Sequence, residues 1–391
     1  MRILLYTWFG SYTDDDIEKN LIRMGYDCKR IKNENLQLSD RYKNDVFCDN
    51  FAREIKNGTY DCVFTTNFHP LIAKVCHEKD VPYVAWSYDS PPNLPNTRYM
   101  DFPTNHIYFF SRDDVEDFRA QGINTVHYMP LAVDTDKWDR IKVSEIHAKK
   151  YKADISLVGS LYSSTLPALM NMMSEEQRIF FDKLSDMQLT SYERYFLKEF
   201  ISDGIAHEVC MTIAKNNPDG VQPTAKQLIY SVASYVTNLD RLFLLRVLSR
   251  KYDTHLYTGK ITEDEKKMLE HVKVHGTVDY STEMPLVFKC SGINLCPTFR
   301  GNTSGIPLRV LDVMGCRSFV LTPYRADLEE YFVEGKEVVT YRSPEEALDK
   351  SDYYLAHESE RERIATAGYD KVKKMFSYNN CLQRLLMAVT D

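Results

Sequence analysis

Short apolar runs alternate along the chain with longer stretches whose apolar positions recur every three or four residues. The short runs read as buried parallel strands, because both faces of such strands are covered and the polar alternation disappears. In the first part of the chain they are Arg2–Thr7, a run entered through GYDC (25–28), YDCVFT (60–65), VPYVAW (81–86), HIYFF (106–110) and TVHYMP (125–130). A second series comprises DISLVG (154–159), THLY (254–257), VKVHG (272–276), GINL (292–295), FVL (319–321) and EVVTY (337–341). Helical stretches separate them, with Thr13, Ser111 and Ser343 as expected N-caps. Strands and helices in alternation predict an α/β protein with doubly wound sheets.

Two features divide the chain. Residues 142–152 are polar and basic and read as a linker. Residues 163–238 are charged, Met-rich and helical in period, and the break at NNPDG (216–220) does not restore a strand pattern. The expected organisation is a first Rossmann-like domain over 1–150 and a second over 151–375 carrying a helical insertion at about 163–238. A terminal helix over 376–391 is expected to cross back to the first domain. A chain of 391 residues is long enough for two cores.

Composition narrows the function. The formal net charge of -7 argues against a nucleic-acid partner. The nine cysteines are scattered without a CxxC pair, so neither a disulfide framework nor a zinc site is expected, and a reducing cytoplasm suits them. No apolar run reaches the length of a membrane span, and MRILLYTWFG is too short in its apolar part for a signal peptide. Membrane contact, if any, would be peripheral. The 26 tyrosines and 19 phenylalanines suit a cleft for sugars or bases, although most must be core.

Candidate chemistry gathers where loops leave strands. CPTFRGNTSGIPLRVLD (296–312) is a glycine-bearing loop followed by a helix with Pro307 at its first turn. The free amides and dipole of such a helix suit a phosphate, although spacing alone fits an ordinary βαβ unit with a surface arginine equally well. His69, in the polar loop after the third strand, is a candidate acid, base or sugar contact. Asp89, in SYDSPP (87–92), is a candidate general base, against an Asx-turn that satisfies its own backbone. The triplet Asp14–Asp16 fits a helix first turn better than a metal site.

With both halves laid out, the chain resembles the CgeB-type (spore-maturation) glycosyltransferases of the GT-B fold, in the branch with a distinct N-terminal module. The residues carrying the resemblance are SGIPLRVLDVMGCRSFVLTPYRADLEEYFVEGKEVVTYRSP (304–344), LAHESERERIATAGYDKV (355–372), PYVAWSYDSPP (82–92), VGSLY (158–162) and VHGTVDY (274–280). It implies two Rossmann-like domains facing a cleft and a glycosyltransferase that moves a sugar from a nucleoside diphosphate, expected to be UDP. The acceptor would be a protein, a glycan or a small molecule.

The resemblance also assigns residues. The two glutamates that flank this loop in retaining GT-B enzymes line up with Ser304 and Asp312, which leaves Asp312 for the ribose and removes a charge at Ser304. The family's glycine-rich step becomes Gly315, Cys316, Arg317 and Ser318, with Arg317 expected to be a solvated charge. The leaving diphosphate is expected near Ser304, Gly305, Arg309, Arg300, Gly159 and Ser160, and the base near Tyr257, Gly259, His275 and Gly276. The acceptor side would hold Gly10 and Asp89, with Asp89 or His69 as base if the enzyme inverts. No metal and no cofactor beyond the nucleotide sugar are expected. A nucleotide-sugar epimerase and a non-catalytic binding protein on the same fold are the competing readings.

Overall fold

The computed structural model describes residues 1–8, 12–33, 42–56, 58–94, 96–218 and 223–390. Two compact units share the chain. The first comprises Met1–Thr135, Ser304–Leu311 and Val372–Asp391; the second comprises Asp136–Thr303 and Asp312–Lys371.

The first unit is built on a six-stranded sheet of β1 (Arg2–Thr7), β2 (Asp27–Lys32), β3 (Cys62–Thr66), β4 (Tyr83–Ser87), β5 (Asn105–Phe109) and β6 (Val126–Tyr128), in the order β2-β1-β3-β4-β5-β6. Every pairing is parallel, and Ile3 stands between Cys28 and Cys62. The central strands are buried along most of their length, as parallel strands covered on both faces must be. Edge strand β2, DCKRIK, exposes Asp27, Lys29 and Lys32, while the side chain of Arg30 is buried against Asp14, Asp15 and Glu18. Helix Asp45–Glu54 packs Phe47 and Phe51 on Tyr6, with the two phenylalanine rings stacked at 5.6 Å.

The second unit contains β7 (Ala153–Val158), β8 (Thr254–Tyr257), β9 (Lys273–His275), β10 (Ser291–Leu295), β11 (Val320–Pro323) and β12 (Val339–Tyr341). Their order is β12-β11-β10-β7-β8-β9, again all parallel. Between β7 and β8 the chain makes five helices, and those up to the middle of Ala225–Leu248 bury a core of their own around Phe181, Leu197, Val209 and Val232. No helix among the described residues is long and apolar enough to cross a membrane.

Two local expectations change. The stretch 142–152 is not an open linker: Ser144 and His147 form a reciprocal capping box on helix Glu145–Tyr151. Tyr151 is buried there, and its hydroxyl donates to Glu283 at 2.8 Å. The first segment of the first compact unit ends at Thr135, ahead of this helix. Thr13 starts helix Asp14–Arg23 without a side-chain cap, since its own backbone is already helical. Ser111 and Ser343 do cap, accepting from the amides of Asp114 and Glu346.

Candidate active site

In the second unit β7 and β10 lie side by side, yet their connections leave in opposite directions along the sheet. Doubly wound sheets bind ligands in the crevice outside such a switch point, at the carboxyl ends of the strands. The loops that flank it are GSLY (159–162) and CPTFRGNT (296–303).

Arg241 joins the two loops. It projects from the long helix Ala225–Leu248, is 8% exposed, and donates through Nη1 to the carbonyl of Ser160 and through Nη2 to the carbonyl of Pro297. Its guanidinium also lies 4.9 Å over the ring of Tyr162, and its Nε has no hydrogen-bond partner among the described residues. A Cβ on Gly159 would stand 3.1 Å from Nη1, so a side chain there would press on the guanidinium. The neighbouring Asp240 is 1% exposed and accepts the hydroxyl of Tyr192. Burial pushes the Asp240 carboxyl up, while Arg300 and Arg241 pull it down. Sequence reading passed over Arg241, which sits in the amphipathic stretch LDRLFLLRVLSRK (239–251) and shows no loop or motif signal.

Arg300 is not at a diphosphate position. Its Nη2 donates to the carbonyls of Gln188 and Ser191, and the guanidinium lies 4.1 Å over Tyr192. Ser304 belongs to the first unit. Its hydroxyl bonds to Ser111 at 2.9 Å and accepts from the amide of Asp113 at 3.0 Å, so it helps to cap helix Arg112–Ala120. Gly305 follows with φ +85° against Phe110. Helix Leu308–Gly315 carries half-buried Arg309 and, one turn later, Asp312. Asp312 is 1% exposed and accepts from the hydroxyl of Tyr280 at 3.0 Å. Tyr280, at the end of VHGTVDY, is a partner that sequence reading did not single out; Lys137 lies 5.5 Å from its ring. Arg317 is exposed, with its guanidinium 3.9 Å over Tyr369. Ser160, also exposed, accepts the amide of Tyr162 at 3.0 Å.

The residues expected at the base fall into two groups. Tyr257 is a core residue, packed with Tyr151, Leu286 and Val287, and burial raises its hydroxyl to about 12. Its register partner His275 stacks on it at 4.5 Å and is half-buried. Gly259 and Gly276 lie at the ends of these strands, Gly259 close to Thr277 and Gly276 with open space where a Cβ would be. A relay runs behind His275: its Nε2 is 3.3 Å from Nδ1 of His255, whose Nε2 is 3.2 Å from Asp253.

Burial holds both histidines below the usual range, with the charge of each partner ring adding to the effect at His275. The sign follows from linkage. A depressed folded value means that the unfolded chain takes up protons first, so stability is lost as pH falls below about 6.5. Half-buried His106 and His127 in the first unit shift the same way. The unfolding temperature is therefore expected to fall between about pH 6.5 and 5, above the carboxylate range. His255→Gln should flatten that slope, and an unchanged slope would exclude the relay as its source.

In the first unit the acid/base candidates differ sharply. His69 is 6% exposed, its ring stacks on Trp8 at 4.9 Å, and its amide donates to Tyr83 just before helix Pro70–Glu78 begins. A ring so enclosed gives an acceptor hydroxyl no access. Asp89 is exposed and is held by Asn67, whose Nδ2 donates to it at 2.9 Å. The Asn67 Oδ1 accepts the amide of Tyr88, and its backbone takes φ 63°, which asparagine tolerates. This is a side chain from the adjacent strand end, not an Asx-turn. Gly10 lies outside the described residues. No cluster of three or more His, Cys, Asp or Glu that could hold a metal ion occurs among the described residues.

Comparison with known proteins agrees with this geometry. Residues 241–387 match a family described as "Glycosyl transferase-like". No curated protein matches the chain. Among solved structures, Anabaena HepE in complex with UDP and glucose is similar over 100% of this chain and 99% of its own, with a TM-score of 0.56 and 11% identity. A glycosyltransferase from Rickettsia africae covers 100% and 97% with a TM-score of 0.59 and 12% identity. Sucrose-phosphate synthase from Thermosynechococcus elongatus covers 100% and 98% with a TM-score of 0.59 and 9% identity. At such identities the likeness establishes the fold. The chain therefore has the GT-B architecture and carries a glycosyl transferase-like region over residues 241–387.

Proposed function

We propose that the protein transfers a sugar from a nucleoside-diphosphate sugar, with UDP as the first nucleotide to test, to a glycan, protein or small-molecule acceptor. One observation carries this reading. Buried Arg241 joins the two loops of the switch-point crevice and has no carboxylate within ion-pair distance among the described residues. Buried charge is costly unless it is paired, so the crevice suits an anion. Sugar transfer builds negative charge on the departing diphosphate, and preorganised donors stabilise it best where water is excluded.

In this reading Arg241, with Gly159 and Ser160, faces the diphosphate. Asp312 and Tyr280 form a pair that receives the ribose hydroxyls. Asp89, oriented by Asn67, is the base for an inverting reaction; in a retaining one the leaving phosphate takes the acceptor proton. The sequence resemblance at 304–344 and 82–92 is the ground for the CgeB-type branch, and nine cysteines free of disulfides suit the cytoplasm. The proposed reaction needs no metal, so turnover should survive EDTA; its loss would refute that part.

The direct test is a thermal-shift titration with UDP. Occupancy of one site at 100 times Kd stabilises by about 2.7 kcal/mol. Tyr280→Phe and Asp312→Asn each remove a hydrogen-bonding group, and bonds to a charged group contribute about 1.5–3 kcal/mol. UDP affinity is expected to fall roughly 10-fold or more in each variant. Unchanged affinity in both would remove the ribose from this position.

A further inference from the structure

The loop Pro297–Thr303 is fastened from several directions, and the fastenings come largely from outside the sheet. Arg241 takes the carbonyl of Pro297. The amide of Arg300 donates to Oγ1 of Thr237 at 2.9 Å. The Arg300 side chain reaches the carbonyls of Gln188 and Ser191, which end helix Glu175–Thr190 of the insertion. Phe299 stacks on Tyr162 at 4.8 Å and belongs to the insertion's own apolar core. From the sheet side, Arg325 donates to Oγ1 of Thr298 at 3.1 Å and to the carbonyl of Asn302 at 2.7 Å. Tyr192 closes the circuit, lying under Arg300 and donating to Asp240.

Loops at strand ends ordinarily run over the surface with few partners. Here one loop of the crevice shares its aromatic side chain, an amide and a buried guanidinium with a helical subdomain that makes no strand of the sheet. We infer that the insertion is a positioning frame: it holds Pro297–Thr303 in the geometry that receives the diphosphate of the donor. Arg300 is the positioning residue of this frame and acts through the loop backbone without touching the ligand. Prior ordering of a binding loop raises affinity because the ordering cost is met before the ligand arrives. The inference rests on the reading of the crevice as a nucleotide site.

The test uses the full chain with UDP as probe and reads two quantities. Amide exchange over 297–303 is measured without ligand, and UDP affinity is measured by titration. Arg300→Ala is expected to accelerate exchange in the loop at least tenfold relative to β10 and to weaken UDP at least tenfold. Where turnover is measured, KM for the donor should rise while kcat stays within threefold. Arg300→Lys should not rescue either readout, since a compact ammonium does not replace the planar guanidinium that lies over Tyr192. If Arg300→Ala does not fold, Tyr192→Phe tests the same circuit with a smaller change in the same direction. Ile72→Val, in the core of the first unit, controls for stability alone: it should lower the unfolding temperature and leave loop exchange and UDP affinity unchanged. The inference is overturned if loop exchange is unaltered, or if it accelerates with no change in UDP affinity. If the unaltered protein binds no UDP, the nucleotide reading falls instead, and the exchange data alone then decide whether the insertion orders the loop.

Discussion

Arg241→Met is expected to lower stability by about 3–6 kcal/mol, since it removes two hydrogen bonds from a charged donor, each contributing about 1.5–3 kcal/mol. For a unit of this size that is about 2–4 °C in Tm for each kcal/mol. The variant leaves the carbonyls of Ser160 and Pro297 without a donor and Asp240 with Arg300 as its remaining guanidinium. Stabilisation by UDP should vanish with it. Arg241→Lys separates the two effects. Lysine keeps the charge on a flexible stem but cannot serve two carbonyls in a fixed fork. The protein should fold with a smaller loss of Tm, yet UDP should bind at least tenfold more weakly. Retention of full UDP affinity in Arg241→Lys would move the diphosphate away from this residue and leave Arg241 as a purely structural staple.

The contrast between Arg241 and Arg300 shows where sequence stops being informative. The twelve described strands were legible, most of them because buried parallel strands write continuous apolar runs between turn residues, as THLY and DISLVG do. Strand position also located the switch-point loops. Which arginine joins the two loops was not legible. Arg300 sits in the loop and Arg241 lies on a helix far away in sequence, but side-chain direction is set by tertiary packing: Arg300 turns back to helix-end carbonyls and Arg241 turns in between two loops. The same limit applies to His69 and Asp89. Both leave neighbouring strands in polar loops, and only the stack on Trp8 buries one while Asn67 presents the other. The polar stretch 142–152 hid a helix because its cap pairs serine with histidine in place of an acid or amide.

Gly305→Ala is expected to be among the most damaging single changes in the chain, at about 4 kcal/mol or more. Gly305 has φ +85°, a conformation that costs an L-residue roughly 1–2 kcal/mol. An added Cβ would also stand 2.2 Å from the carbonyl oxygen of Phe110 and 2.8 Å from its ring. That oxygen belongs to backbone at the end of β5, directly before Ser111, so relief would have to displace the cap of helix Arg112–Ala120 and the Ser111–Ser304 hydrogen bond. Gly204→Ala is the control: its Cβ would meet an ordinary contact at 3.8 Å within helix Asp203–Asn216, and it should be neutral or stabilising by up to about 1 kcal/mol. The order of losses in Gly305→Ala also distinguishes two reasons for the glycine. If its purpose were only to lend an amide to the diphosphate, Tm would hold while UDP affinity fell. The close approach to Phe110 requires the opposite order, with the unfolding temperature dropping sharply even when no nucleotide is present.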